Sequence, residues 1–154
     1  MVFERVPAGE SPARELIAAM VDEVDGLYGG RLDEDPRSPS ATPADFAPPG
    51  GACVVGYDEE RRAVCVGGVK RLDDRTAEIK RMYVLPEARG RGAARALLTA
   101  LEDAARDLGY VRVRLDTGRD QPHARALYES TGYREIPDYN GNPYATYWAE
   151  RELT

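Results

Sequence analysis

Cysteine and histidine are scarce in this chain of 154 residues, which has two of the first and one of the second. Because no C-x-x-C pair accompanies the histidine, the pattern argues against a zinc site built from these residues. Cys53 and Cys65 each lie in an apolar run typical of a strand, which predicts buried free thiols. Long apolar runs are also missing, since none approaches the roughly 20 residues that span a bilayer. The first residues show no apolar core followed by a cleavage site, so we expect a cytoplasmic protein that does not bind a membrane.

Basic residues are in deficit as well. The chain has 21 lysines and arginines against 27 aspartates and glutamates, a formal net charge of −6, which argues against binding of nucleic acid. A site for an anionic ligand must therefore be locally basic, and residues 89–95 meet that demand with three arginines and no acid. The 42% of apolar and 31% of charged residues are typical of a globular protein, and the length predicts a single domain over residues 1–154.

The chain does contain a regular succession of strand and helix patterns. Strand patterns occur near Phe3 and over 52–57, 63–71, 76–85, 111–115, 136–139 and 145–153. Helical spacing of apolar residues predicts helices over about 12–28, 92–108 and 122–130. The proline-rich segment 31–50 indicates a long surface loop with one short turn at 42–46, and the loop is either functional or a solvated connector. A strand–helix–strand unit after a three-strand meander implies a mixed sheet with helices on its faces.

The segment after the strand that ends near Leu85 has the pattern of an anion site. A proline turn is followed by a helix that begins within a loop containing Gly90 and Gly92. Amides at a helix start are unpaired and carry a partial positive charge, and glycine lets a phosphate approach them closely. Two other phosphate loops fit poorly, because no G-x-x-x-x-G-K-[ST] occurs and Arg95 replaces the third glycine of G-x-G-x-x-G.

Two motifs resemble those of one enzyme family. Arg89-Gly90-Arg91-Gly92-Ala93-Ala94 is similar to the R/Q-x-x-G-x-G/A signature of the GNAT acetyltransferase superfamily, with Arg89, Gly92 and Ala94 at its anchor positions. The run from Gln121 to Tyr133 resembles the second motif, N-x-x-A-x-x-L-Y-x-x-x-G-F/Y, with Gln121 where asparagine is common. The motifs occur in the family's order, one helix and one strand apart, and the resemblance covers about residues 52–135.

The resemblance implies a fold of the α/β (α+β) class. Its sheet is mixed and mostly antiparallel, with about six to seven strands, about four flanking helices and a splayed central strand pair. It also implies acetyl-coenzyme A as cofactor, coenzyme A as product, and acetyl transfer to a primary amine of a small molecule or peptide by direct attack on the thioester. The implied cofactor-binding residues are Met82, Tyr83, Val84, Arg89, Gly90, Arg91, Gly92, Ala93, Ala94, Gln121, Ala124 and Tyr128. A tight turn without a ligand is the alternative for the glycines.

Acetyl transfer needs a neutral amine, a stabilised thioester oxygen and a proton for the departing thiolate. By resemblance Tyr128 lies near the cofactor sulfur and is the candidate general acid, since a phenol's reference pKa of roughly 10 is close to that of a thiol. The alternative is that Tyr128 packs its helix on the core. A backbone amide, such as that of Val84, is the candidate oxyanion donor.

Two side chains are candidates for the general base. Glu78, within Ala77-Glu78-Ile79, matches the place where family members similar to histone acetyltransferases carry a base. The alternative for Glu78 is a strand-edge salt bridge with Lys80 or Arg71. His123 has a suitable intrinsic pKa, but its place near a helix start favours a solvated position.

On the acceptor side, the resemblance points to the end of the first helix with its following loop, and to the loop between the last strands. The candidate substrate residues there are Tyr28, Asp33, Glu34, Tyr139, Asn142 and Tyr144. The acids can attract a cationic amine, and the others can line a small polar pocket. Solvated loop charges and core packing are the alternatives. No metal is expected, and a homodimer through the last strands rests on fold-level analogy.

Two classes of function compete with an enzyme. A non-catalytic acetyl-coenzyme A-binding module predicts cofactor binding without turnover. A protein-interaction scaffold of the same fold predicts no cofactor binding and leaves residues 89–94 unexplained.

Overall fold

The computed structural model describes residues 1–29, 36–39 and 41–154. The strands are β1 (Val2–Arg5), β2 (Ala52–Tyr57), β3 (Ala63–Arg71), β4 (Thr76–Val84), β5 (Arg112–Thr117), β6 (Arg134–Ile136) and β7 (Tyr147–Glu152). They form one seven-stranded sheet in the order β1-β2-β3-β4-β5-β7-β6. Within the described ranges β4 and β5 are parallel and all other neighbours antiparallel. The predicted mixed, mostly antiparallel sheet is confirmed.

Helices cover both faces of the sheet. They are α1 (Ala13–Tyr28), α2 (Ala93–Asp107) and α3 (Pro122–Ser130). On one face α1 packs Leu16 and Met20 against β2 and β3. On the other face α2 buries Leu97 and Leu101, and α3 packs there through Tyr128. The two clusters are the expected result of strands whose side chains alternate between two covered faces.

The helix count differs from the expectation of about four. The described residues contain three α-helices and two short 3-10 turns, Pro43–Phe46 and Pro86–Ala88. Proline lacks the amide that an α-helix interior needs, so the prolines at positions 43, 48 and 49 favour the short turn at 43–46 over a longer helix in this part of the chain. The turn at 43–46 has a capping box made by Thr42 and Asp45.

The central strands diverge, as the family resemblance implied. β4 and β5 pair only at Thr76↔Arg112, Ala77↔Val113 and Glu78↔Arg114. Beyond Glu78 the strand β4 continues beside β3, while β5 continues beside β7 as far as Thr117. The carboxyl-terminal halves of the two parallel strands therefore border an opening in the middle of the sheet.

A bulge in β4 changes which side chains face that opening. The pairs Val66↔Tyr83 and Gly68↔Lys80 leave one extra residue on β4, and Arg81 has a left-handed φ of 60°. Before the bulge Ile79 faces the α2 cluster; after it Met82 does so, while Tyr83 faces the α1 cluster. An extra residue reverses the alternation of a strand, so Met82 points toward α3.

β1 and β6 form the two edges of the sheet. Pairing of two copies through the last strands stays a prediction.

Candidate active site

The opening between β4 and β5 leads into a cleft of about 1060 Å³. Its walls come from the end of α1, the second half of β4, the loop before α2, the end of β5, α3 and the loop before β7. Most of the residues that the sequence assigned to cofactor and acceptor line this one cleft. Arg91 and Tyr139 do not line it.

The loop before α2 has the backbone geometry of an anion site. Gly90 and Gly92 have φ values of 80° and 81°, and a Cβ built on either would meet nothing within 4 Å. Glycine is thus required by the left-handed backbone, and the space in front of it is open. In the described part of the chain, the amides of residues 90–95 have no backbone acceptor. Together with Ala93 and Ala94 at the helix start, this arrangement fits a phosphate group.

The arginines around this loop have different surroundings. Arg89 donates from Nε to the carbonyl of Val84 at 2.9 Å, and from a terminal nitrogen to both carboxylate oxygens of Glu23 at 3.0 Å. It therefore ties the loop to β4 and α1. Arg95 donates to Ser130 Oγ at 3.1 Å and lines the cleft. Arg91 is exposed and is not among the residues that line the cleft.

The second motif faces the loop across the cleft. Ala124 and Gln121 line the wall that α3 contributes. Gln121 Oε1 lies 3.4 Å from each of three donors, the hydroxyls of Tyr28 and Thr117 and the amide of Gly118. Glutamine at this position therefore joins the start of α3 to the end of β5 and to α1. His123 is exposed, in agreement with a solvated helix-end position, and borders the cleft.

Tyr128 lies at the inner end of the cleft, only 6% exposed. Its hydroxyl donates to Met82 Sδ at 3.7 Å, a contact that the bulge in β4 creates. Burial, with a smaller effect from the negative charge of Asp116, raises the pKa of this phenol. The hydroxyl is therefore protonated at physiological pH, as a proton donor must be. Its role as general acid stays a prediction.

Glu78 lies beneath the cleft rather than in its wall. Its side chain is 1% exposed, and Oε2 accepts hydrogen bonds from Tyr139 Oη at 2.6 Å and Asn140 Nδ2 at 3.0 Å. Lys80 Nζ lies 3.9 Å from Oε1, so the ion pair considered as the alternative is present. Glu78 is not among the cleft-lining residues, and direct contact with a substrate would require a rearrangement. Its role as base stays a prediction.

The acceptor-side candidates divide into three groups. Tyr28, Asn142 and Tyr144 line the cleft, and the rings of the two tyrosines meet edge to face with centroids 5.8 Å apart. Tyr139 belongs instead to the hydrogen-bonded group around Glu78. Asp33 and Glu34 lie outside the described residues.

The sequence did not point to one ionisable residue of the cleft that could take part in chemistry. Asp116 lines the cleft, and its side chain is only 10% exposed. The alternation of Val113 and Leu115 into the core already placed residue 116 on the other face of β5. Only the divergence of β4 from β5 turns that position into a cleft wall, and the sequence contains no separate signal for it.

The profile of the Acetyltransferase (GNAT) family matches residues 17–133. The chain therefore belongs to the acetyltransferase (GNAT) family, which confirms the family and the enzyme class predicted from the two motifs.

Curated relatives agree with this assignment. The uncharacterized N-acetyltransferase YjgM of Escherichia coli is 32% identical over 146 residues, which cover 90% of this chain and 84% of that protein. The IAA acetyltransferase of Azospirillum brasilense is 32% identical over 83% of each chain. Human N-acetyltransferase 8 is 36% identical over 64% of this chain, and the match spans 44% of the human protein.

Solved structures share the fold. An acyl-CoA N-acyltransferase from Klebsiella pneumoniae superposes with a TM-score of 0.77 at 26% identity, covering 99% of this chain and 97% of its own. An aminoglycoside 6'-N-acetyltransferase in complex with coenzyme A gives a TM-score of 0.71, at 14% identity, covering 100% of this chain and 98% of its own. The second likeness concerns the fold alone. In the described part of the chain, no helix combines the length and the apolar character that crossing a membrane requires.

Proposed function

We propose that this chain transfers the acetyl group of acetyl-coenzyme A to a primary amine of a small molecule or peptide, by direct attack of the amine on the thioester. The observation that carries the proposal is the row of amides at residues 90–95, which have no backbone acceptor among the described residues and open onto a cleft that also contains Tyr128. Membership of the family supports it, and so does the coenzyme A complex of the aminoglycoside acetyltransferase with the same fold.

The residues present fit acetyl-coenzyme A in named positions. The amides around Gly90 and Gly92 would hold its pyrophosphate, because a helix start and a left-handed glycine backbone favour an anion there. The β4 segment from Met82 to Val84, which lacks β5 as a partner, would hold the pantetheine arm. The bound molecule would supply an activated thioester. Tyr128 would give its proton to the departing sulfur, and the amide of Val84 would stabilise the oxygen as it becomes negative.

Calorimetric titration with acetyl-coenzyme A tests the cofactor site. We expect the wild-type chain to bind and Gly92→Asp to lose at least about 100-fold in affinity, since the carboxylate enters the space for the pyrophosphate and repels it. Gly109→Asp is the matched control, because Gly109 also has a positive φ, of 95°, and open space around it, but lies at the far end of α2. Absence of binding to the folded wild type would contradict the proposal and favour the protein-interaction scaffold.

Turnover separates an enzyme from a binding module. We would follow release of the coenzyme A thiol in the presence of n-butylamine, 2-phenylethylamine, 1,4-diaminobutane and the dipeptide Ala-Tyr. Acetylation of at least one amine, identified by mass spectrometry, is the expected result. Tight cofactor binding without acetylation of any of them would support the non-catalytic module.

A further inference from the structure

Asp116 differs from the other charged groups of the cleft in how its two carboxylate oxygens are used. One oxygen is hydrogen-bonded, and the other is available to a ligand. Oδ2 accepts hydrogen bonds from Asn140 Nδ2 at 2.6 Å and Asn142 Nδ2 at 3.2 Å, and Lys80 Nζ lies 3.6 Å away. Oδ1 has no partner among the residues that the structure describes. The side chain is nine-tenths buried and lines the cleft, and Oδ1 is the oxygen that these contacts leave available there.

Asn140 connects this carboxylate to Glu78. Its amide orientation is fixed, because its Oδ1 accepts from Trp148 Nε1 at 3.0 Å and from the amide of Asn142 at 3.1 Å. Its Nδ2 consequently points toward both acids and donates to Glu78 Oε2 as well as to Asp116 Oδ2. The two carboxylates form one network, and Asp116 is the member that reaches the cleft.

The cations nearest to the two acids leave one negative charge without a close ion-pair partner, since Arg114 lies over the Tyr139 ring at 5.4 Å and makes no ion pair with either acid in the described part of the chain. Glu78 and Asp116 are two acids, and Lys80 is the one cation within 4 Å of either in the described ranges. A buried carboxylate is stable only when it is paired or well hydrogen-bonded, and the net charge of these three groups is −1. One additional cation in the cleft would neutralise them.

The position of Asp116 lies between the cofactor side and the acceptor side. Asp116 shares the cleft wall with Tyr128 from α3 and Tyr28 from α1, and its Oδ2 is tied to the loop before β7 through Asn140 and Asn142. Tyr128 is the candidate proton donor to the sulfur, and Tyr28 lies in the acceptor wall. An amine bound at Oδ1 would therefore share the cleft with the candidate proton donor and the acceptor wall.

We infer that Asp116, rather than Glu78, is the carboxylate that contacts the acceptor amine and takes its proton. This inference rests on the proposed acetyl transfer. The ammonium ion first gives one proton to Asp116 Oδ1, which later releases it to solvent. The neutral amine nitrogen then forms a bond to the acetyl carbon, the bond from that carbon to sulfur breaks, and the second N–H proton replaces the one that Tyr128 gives up. The sulfur receives the Tyr128 proton, and Glu78 acts through Asn140 as a positioning residue. The acceptors so selected are primary amines that reach the cleft as ammonium ions.

Asp116→Asn tests this assignment with little change in shape. The new side chain keeps an oxygen toward Asn140 and Asn142 but has no negative charge. We expect kcat/KM for the best amine of the four-member panel to fall by about 10²- to 10³-fold, and the affinity for acetyl-coenzyme A to change by less than about threefold. Asp103→Asn is the matched control, because Asp103 is exposed, pairs with Arg106 on α2 and is not among the cleft-lining residues. It should retain the wild-type rate.

The pH profile separates proton transfer from a structural effect. Free amine accumulates as the pH approaches the acceptor's own pKa of roughly 10, so the deficit of Asp116→Asn should shrink as the pH rises from 7 to 9.5. A constant deficit, or none, would overturn the inference. Asp116→Glu keeps the charge and should recover part of the rate, which gives a second reading if the asparagine variant folds poorly.

The outcomes distinguish the two proposals. If the wild type acetylates no amine of the panel, the proposed function fails and the inference fails with it. If the wild type is active and Asp116→Asn equals it, only the inference fails. Loss of activity in Glu78→Gln with full activity in Asp116→Asn would assign the base to Glu78.

Discussion

Tyr128 illustrates how position alone can prepare a side chain for chemistry. A tyrosine on the surface would begin to ionise near pH ~10, but burial raises the pKa of Tyr128. The phenol is therefore protonated throughout the pH range in which an amine becomes a nucleophile. The hydrogen bond to Met82 Sδ is weak, so the proton is available to a stronger acceptor.

Replacement of Tyr128 by phenylalanine should lower kcat by about 10²-fold, because the departing thiolate loses its proton donor. In the wild type, kcat should show no decline between pH 7 and 10 from ionisation of this group, since its pKa lies above its usual value. Steady-state rates over that range, with calorimetry of acetyl-coenzyme A, check both statements.

Tyr133→Phe is the control for that experiment. The two rings are 5.7 Å apart, but the Tyr133 hydroxyl donates to the buried Glu102 at 2.7 Å, away from the cleft. Its loss should reduce the free energy of unfolding by about 1–3 kcal/mol and leave kcat unchanged. An unchanged kcat in Tyr128→Phe would remove Tyr128 from the mechanism.

Strands and helices were predictable where the apolar residues follow a regular spacing along the chain. The apolar positions of α2, with Leu97 and Leu101 on one face, the continuous apolar run of β2 and the alternation in β5 indicated these elements within a few residues of their ends. The bulge at Arg81 was not predictable, because a left-handed arginine inside a strand leaves no mark in the apolar pattern. The loop at 89–94 and the start of α3, which line one side of the cleft, follow from local motifs, whereas Asp116 and Asn140 meet only through the tertiary fold.

The bulge is matched on β3 by Gly67, over which α2 packs closely. A Cβ on Gly67 would lie 2.6 Å from Leu101 Cδ1, so Gly67→Ala must displace the fully buried Leu101 side chain from its place against β3. We expect a loss of about 1–3 kcal/mol in the free energy of unfolding, measured by chemical denaturation.

A glycine-to-alanine substitution in α1 should have the opposite effect on the free energy of unfolding. Gly26 is exposed within the helix, and a Cβ there meets nothing within 4 Å. Gly26→Ala should raise the free energy of unfolding by about 0.5–1 kcal/mol, because glycine is a poor helix former. Equal effects of the two variants would show that α2 does not press on β3 as described.

At the scale of the whole molecule, the two buried thiols limit stability in alkali. Burial raises the pKa of Cys53 and of Cys65 to about 11 each, while an unfolded thiol ionises near pH ~8.5. Stability from these groups is complete below pH ~8.5 and is lost as the pH rises toward their folded pKa. The loss should reach roughly 2 kcal/mol per thiol at pH ~10.

Denaturation of the wild type and of the double variant Cys53→Ala, Cys65→Ala between pH 7 and 10 tests this expectation. The variant should be less stable at pH 7, because two small cavities form, but its stability should fall less steeply with pH. Parallel curves would show that other groups, such as the buried tyrosines, govern the alkaline limit.

The short parallel ladder between β4 and β5 has a mechanical consequence. Only three residue pairs join β4 to β5 in the middle of the sheet. The two halves of the sheet can therefore rotate relative to each other about a hinge at Thr76–Glu78. Glu78 lies at that hinge on β4, and Asp116 lies two residues beyond the last β4–β5 pair on β5. Asn140 donates a hydrogen bond to both carboxylates. A change in the angle between the two halves of the sheet therefore alters the separation of the two carboxylates. The width of the cleft then governs how Asp116 faces a bound molecule.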